Sequence, residues 1–169
     1  MDLVVIAVFL VVLDVFVVWV LLRGAPYIPT APNAVQRMVA LCDVQTGDVA
    51  LDIGSGDGRI VMAFARAGIR AHGVEINPLL VWWSRTQIRN AGLAHLATIQ
   101  TGDFWSMDFS PYTIVTLFGA PHLMNRLETK LRRELSAGSR VLSLHFVFPR
   151  WNVSREDKDL RLFAVTSLL

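Results

Sequence analysis

Glycines occupy alternate positions in GSGDG, residues 54–58, at the end of an apolar run, and an acid, Glu75, closes a second such run 21 residues after Gly54. That pattern suits a loop that brings the main chain against a ligand. Gly54 permits a tight turn out of a strand, Gly56 removes a Cβ from the ligand's path, and Gly58 lets the next helix pack closely on the sheet. A turn kept only for packing has no need of three glycines so spaced.

The spacing narrows the ligand. A dinucleotide fingerprint reads G-x-G-x-x-G and seats a pyrophosphate on a helix N-terminus. Here the third glycine comes one residue early and Asp57 stands in the loop, where an acid repels phosphate. No Lys-Ser or Lys-Thr pair follows, which excludes a phosphate-binding P-loop. A nucleoside with a cationic or zwitterionic tail is the expected ligand. Glu75 is placed to accept both ribose hydroxyls, although spacing alone does not separate nicotinamide cofactors from other adenosine ligands, and a solvated strand-end acid is the alternative. In TGDF, residues 101–104, Asp103 suits an adenine amino group and Phe104 the ring beside it; a helix N-cap is the competing role for Asp103. Thr116 and Asp57 are candidates for polar contacts to the ligand or to an incoming nucleophile. His72, His95, His122 and His145 show no metal-ligand spacing, so no metal site is expected.

The elements that position these residues follow from periodicity. Strands are expected over 48–53, 71–76, 96–100, 112–118, 140–148 and 161–169. Helices are expected from 33, over 60–67, over 78–90 and over 122–135, the last with a Leu123, Leu127, Leu131, Leu135 stripe and a basic outer face. Alternating strands and helices imply a mostly parallel sheet covered on both faces, with a ligand beyond the carboxyl ends of the strands.

The 169-residue chain is long enough for one domain with a core, and 53% of it is hydrophobic. Much of that excess lies in LVVIAVFLVVLDVFVVWVLL, residues 3–22, with Asp14 its one charge. Twenty helical residues span roughly 30 Å, the bilayer hydrocarbon thickness. A single transmembrane helix over 1–22 is therefore expected, then a Pro- and Gly-rich linker over 23–32 and one domain over 33–169. A cleaved signal peptide fits less well, because Asp2 replaces a basic start and the apolar run is too long. Arg23 and Arg37 favour a cytoplasmic placement of the domain in a single-pass membrane protein. The net charge of +2 becomes +4 once Asp2 and Asp14 are set aside, too weak a bias to imply nucleic acid. Cys42 is the single cysteine, which excludes an intrachain disulfide.

At LDIGSGDGR, GVEINP and GDF the sequence resembles the class I S-adenosylmethionine-dependent methyltransferases. The resemblance implies a Rossmann-like α/β sheet, trimmed after strand five and preceded by the transmembrane helix, with S-adenosyl-L-methionine as cofactor. It implies that Asp52, Gly54, Gly56 and Gly58 surround the methionine and ribose, Glu75 and Asn77 the ribose side, and Asp103 with Phe104 the adenine. YIPT at 27–30 and FVFPRW at 146–151 are similar to segments of a small family of membrane-anchored protein-lysine methyltransferases, whose studied members modify the c-type subunit of ATP synthase or the adenine nucleotide carrier. That narrower resemblance implies that Tyr27, Pro29 and Thr30 cover the donor pocket, that Phe148 and Trp151 line the substrate side, and that Tyr27, Thr30 and Thr116 serve catalysis. The expected partner is a membrane protein with an exposed lysine, reached with the help of residues 3–22; a small-molecule or lipid amine is the alternative acceptor. Strand four ends in TLFG, without the N-P-P-Y type segment of adenine and glutamine methyltransferases.

Overall fold

The computed structural model describes residues 4–12, 14, 27–119 and 121–166. Its elements run α1 (Pro32–Cys42), β1 (Val49–Ile53), α2 (Arg59–Arg66), β2 (Arg70–Glu75), α3 (Pro78–Asn90), β3 (Ala97–Thr101), a single 3₁₀ turn (Phe104–Ser106), β4 (Ile114–Leu117), α4 (Pro121–Glu134), β5 (Arg140–Leu144), β6 (Arg155–Asp157) and β7 (Leu160–Ala164). The strands form one seven-stranded sheet in the order β3-β2-β1-β4-β5-β7-β6. β1 to β5 are parallel, while β7 runs antiparallel to both β5 and β6.

Period-two alternation sorts the core into two layers. Ala50, Ala71, Ile99, Ile114 and Leu142 face α1, α2 and α3 through Met38, Val61, Phe64, Val81 and Ile88. Leu51, Val74, Val115, Leu117 and Val141 face α4 through Met124, Leu127 and Leu131. Local chemistry fixes the helix ends. Pro32 and Pro78 open α1 and α3 at positions whose amide hydrogens have no intrahelical partner, and the Asn77 side chain accepts from Leu79 N at 3.0 Å.

The expected sheet, trimmed after strand five, is present: among the described residues no helix follows β5, and a β6–β7 hairpin completes the edge. The strand expected over 140–148 stops at Leu144, because His145 adopts a left-handed backbone, φ 66°. β6 was not expected from sequence.

The expected transmembrane helix is not upheld. Among the described residues no helix is long and apolar enough to cross a membrane. Residues 4–12 and 14 are helical. Residues 3, 13 and 15–22 of the expected span lie outside the described residues. The membrane anchor over 3–22, the single-pass placement and the partner reached through that anchor are withdrawn with it.

Candidate active site

The glycine loop leaves β1 and folds back onto β2. Gly54 N and Ser55 N both donate to Val74 O, at 2.9 and 3.0 Å. Gly56, φ +52°, donates its N–H to Glu75 Oε2 at 2.9 Å, and a Cβ there would lie 2.9 Å from Cε2 of Tyr27. The Tyr27 ring thus rests on the loop where only glycine leaves room. At Gly58, φ +78°, a Cβ would come within 3.0 Å of the Ser84 Cβ, so this position holds α2 and α3 together at close range.

Glu75, buried at the end of β2, is gripped from both sides. Oε2 takes the Gly56 amide and Oε1 takes the Asn77 amide at 2.8 Å. An ionised carboxylate has about four acceptor sites, so two remain for a diol. Asn77 is committed as the cap of α3: its amide serves Glu75 and its side chain serves Leu79.

Asp52 and Thr116 lie side by side in register on β1 and β4, both buried, and the Thr116 hydroxyl donates to Asp52 Oδ1 at 2.7 Å. Burial pushes the Asp52 carboxyl up to about 7; the Thr116 hydrogen bond opposes the rise, and the charges of Glu75 and Asp57 add to it. Thr116, the candidate for a polar contact to the ligand or to an incoming nucleophile, spends its hydroxyl hydrogen on Asp52.

Asp57 pairs with Arg59, whose Nη2 reaches Oδ2 at 2.6 Å and whose Nε reaches both oxygens at 3.0 Å. Burial works against the ionised form, yet the hydrogen bonds and charge of Arg59 hold the Asp57 carboxyl below the usual carboxylate range. Arg59 Nη1 also donates to Thr30 O at 2.7 Å, tying the segment before α1 to the loop. Burial, with the neighbouring charge of Asp57, raises the Tyr27 phenol above its ordinary value. Arg59 is the residue that sequence reasoning passed over. Its signal was available: an arginine two residues after an acid in a glycine loop can close a bidentate pair.

At the far end, Asp103 caps the 3₁₀ turn through one carboxylate oxygen, Oδ1, which accepts from Trp105 N at 3.0 Å. Phe104 packs at 4.7 Å against Trp105, over which the Arg126 guanidinium lies at 4.0 Å. Phe148 does not line an open substrate side: it is buried, 4.8 Å from the Phe163 ring. Trp151 is half-buried and donates its indole N–H to Ala164 O at 3.0 Å.

A parallel sheet with this strand order, a glycine loop after β1 and a clamped acid ending β2 defines a class I S-adenosylmethionine-dependent methyltransferase. The chain belongs to the ANTKMT methyltransferase domain family, whose sequence pattern it matches over residues 52–155. It is 42% identical over 126 residues to the ATP synthase C-subunit lysine N-methyltransferase of Xenopus laevis, covering 75% of this chain and 55% of that protein. It is 36% identical over 129 residues to a protein-lysine N-methyltransferase of Saccharolobus islandicus, covering 75% of this chain and 80% of that one. Among solved structures, an RNA methyltransferase from Salinibacter ruber in complex with S-adenosyl-L-homocysteine superposes with a TM-score of 0.78 at 36% identity, covering 84% of this chain and 96% of that one. The chain spans about half the length of the vertebrate ATP synthase lysine N-methyltransferases it matches.

The cofactor is S-adenosyl-L-methionine. The site fits it: Glu75 keeps acceptor capacity for a ribose diol.

Proposed function

We propose that this chain transfers methyl groups from S-adenosyl-L-methionine to the amine of a protein lysine. The observation that carries this reading is its identity of 36% to a protein-lysine N-methyltransferase of which it spans 80%. The likeness to the lysine N-methyltransferases of the ATP synthase C-subunit and of adenine nucleotide translocase points the same way.

In this reading the bound cofactor supplies a methyl group on a positively charged sulfonium. The residues of the chain bind and orient. Glu75 takes the ribose, with Asn77 bracing it; Gly54, Gly56 and Gly58 keep the loop close; Asp52, aimed by Thr116, faces the methionine part; Asp103 and Phe104 border the adenine. Tyr27 and Thr30, fastened through Arg59, close over the loop and limit water. Much of the acceleration of such a displacement comes from contact and desolvation, and burial lowers the proton affinity of an entering amine.

A second reading, an RNA acceptor, has a specific observation behind it, the Salinibacter ruber structure. The charge pattern of α4 favours protein. Its basic residues are largely engaged: Lys130 with Glu134 at 2.8 Å, Arg132 with Glu128 at 3.5 Å, Arg133 with Glu134 at 2.6 Å and Arg126 over Trp105. Such pairs leave little free charge for a phosphate track. The test is incubation with methyl-labelled donor and separate protein, RNA and lipid fractions of a native extract. Label recovered as methyl-lysine is expected; label in RNA or lipid alone overturns the reading. The finer expectation, transfer at or near a membrane, is tested by dividing the protein acceptors into membrane and soluble fractions.

A further inference from the structure

We propose that the rings of Phe118, His145 and Phe146 form the cradle that receives the alkyl-ammonium arm of the acceptor lysine. The inference rests on the proposed protein-lysine reading.

The cradle stands where an acceptor must enter. β1, β4 and β5 are adjacent and parallel, so their carboxyl ends open on one edge. Thr116 on β4 is bonded to Asp52 beside the glycine loop. Phe118 follows two residues later on the same face, and at about 3.3 Å per residue it sits roughly 7 Å further out along the strand. The end of β5 meets it there. The His145 ring lies 5.5 Å from that of Phe118, and the Phe146 ring lies 6.1 Å from it, near-parallel at 28°.

Phe118 and Phe146 are half-buried, and the His145 side chain is 51% exposed. Their π faces therefore have apolar support behind and an opening in front. Such faces attract an ammonium and its methylated products electrostatically, and flank the lysine methylenes as well. A sheet edge kept only for stability would have no use for an open aromatic cluster at the strand ends.

The backbone supports the same assignment. His145 is a non-glycine residue in the left-handed region, φ 66°, and this conformation cuts β5 short. A conformation of that kind is strained and persists where surroundings enforce it, often at functional sites. The surroundings are explicit. His145 N donates to Asp159 O at 2.8 Å, Arg161 Nη1 donates to His145 O at 3.2 Å, and Asp159 is itself held by Arg37 of α1 at 3.1 Å. The hairpin edge and α1 together hold the turn that sets Phe146 against Phe118.

The experiment replaces Phe118 and Phe146, singly, by Leu and by Tyr in the full chain. Leu keeps apolar bulk and removes the π face; Tyr keeps it. The acceptor is native protein extract, with label read as methyl-lysine after acid hydrolysis, and cofactor-site affinity is measured calorimetrically with S-adenosyl-L-homocysteine. The Leu variants are expected to need about tenfold more extract for half-maximal rate, with S-adenosyl-L-homocysteine affinity within twofold of wild type. The Tyr variants are expected to recover most of the loss. Wild-type labelling of lysine with unchanged Leu variants overturns the cradle alone. Loss of S-adenosyl-L-homocysteine affinity in the Leu variants also overturns it, because the rings then belong to the donor pocket. A wild-type chain that labels no lysine overturns the proposed function and the cradle together.

Discussion

The buried Asp52–Thr116 pair yields a prediction whose size follows from the structure. Asp52 is 4% exposed and its carboxyl titrates near 7 in the fold, against an ordinary value near 3.8. Burial in low dielectric is the leading cause; the Thr116 hydrogen bond only partly offsets it. Each tenfold change in proton affinity is about 1.4 kcal/mol, so a fully ionised Asp52 weakens the native state by about 4 kcal/mol relative to the unfolded chain. The perturbation is Asp52→Asn, which keeps the shape and an oxygen for the Thr116 hydroxyl but cannot ionise.

The direction with pH is fixed by linkage. Below about pH 4 both folded and unfolded states carry the neutral acid, so its burial costs nothing in ionisation. Between about pH 4 and 7 the unfolded chain ionises freely while the fold resists, and wild-type stability falls; above about pH 7 the loss is complete and constant. The stability difference in favour of Asp52→Asn should therefore grow by about 2 to 3 kcal/mol between pH 5 and pH 8. Urea unfolding of both proteins at pH 5, 6, 7 and 8, without cofactor, measures it directly. A difference that stays flat across that range would mean that Asp52 is not a buried, uncompensated carboxyl, and the electrostatic picture of the site would fail. The variant should gain stability while losing cofactor affinity, as expected where a site residue is strained for function.

The remaining predictions concern the clamp, the strap and the core. Glu75→Ala should abolish tight cofactor binding in calorimetry while leaving a cooperative unfolding transition, with a stability loss of about 1 to 3 kcal/mol because the Gly56 and Asn77 amides lose their acceptor; unchanged affinity would refute the ribose assignment. Arg59→Ala should raise the cofactor Kd severalfold by freeing Thr30 O and Asp57, and Arg59→Lys should not restore it, because the bidentate fork is lost; a Lys variant with wild-type affinity would refute the strap. The Cys42 thiol, buried and pushed up to about 12 mainly by that burial, should resist a thiol reagent at pH 8 until urea unfolds the chain; rapid labelling of the native protein would show that the base of α1 opens.

Much of the sheet is legible in the sequence because its central strands, β1, β4 and β5, are buried on both faces and read as short apolar runs. Periodicity places β1 to β4 and their helices to within a residue or two at most ends. The failures have separate causes. β6, with the sequence Arg-Glu-Asp, is a polar edge strand defined by pairing to Leu160–Ala164, and periodicity carries no trace of it. β5 ends before its apolar run does, because apolar residues continue past Leu144 while the extended backbone stops at His145. Phe148, which the family resemblance places on the substrate side, lies beyond that turn in the core beside Phe163. Residues 3–22 give a strong hydropathy signal, but among the described residues no helix is long and apolar enough to cross a membrane.

The structure weighs against a pyrophosphate ligand on different grounds from those the sequence offers. In sequence Asp57 is a bare acid repelling phosphate, yet in the fold it is paired with Arg59. What matters more is that much of the loop's amide capacity is already taken. Gly54 N and Ser55 N are bonded to Val74 O, Gly56 N to Glu75, Gly58 N to Ser55 O, and Arg59 N to Asp57 Oδ1 at 3.2 Å. A pyrophosphate binds where such N–H groups at a helix start are unclaimed. Here the amides of Gly54, Ser55, Gly56, Gly58 and Arg59 are claimed within the protein, and acceptor capacity is left over on Glu75. A buried carboxylate with acceptor sites to spare suits hydroxyls and a cation, which are what a ribose and a sulfonium present.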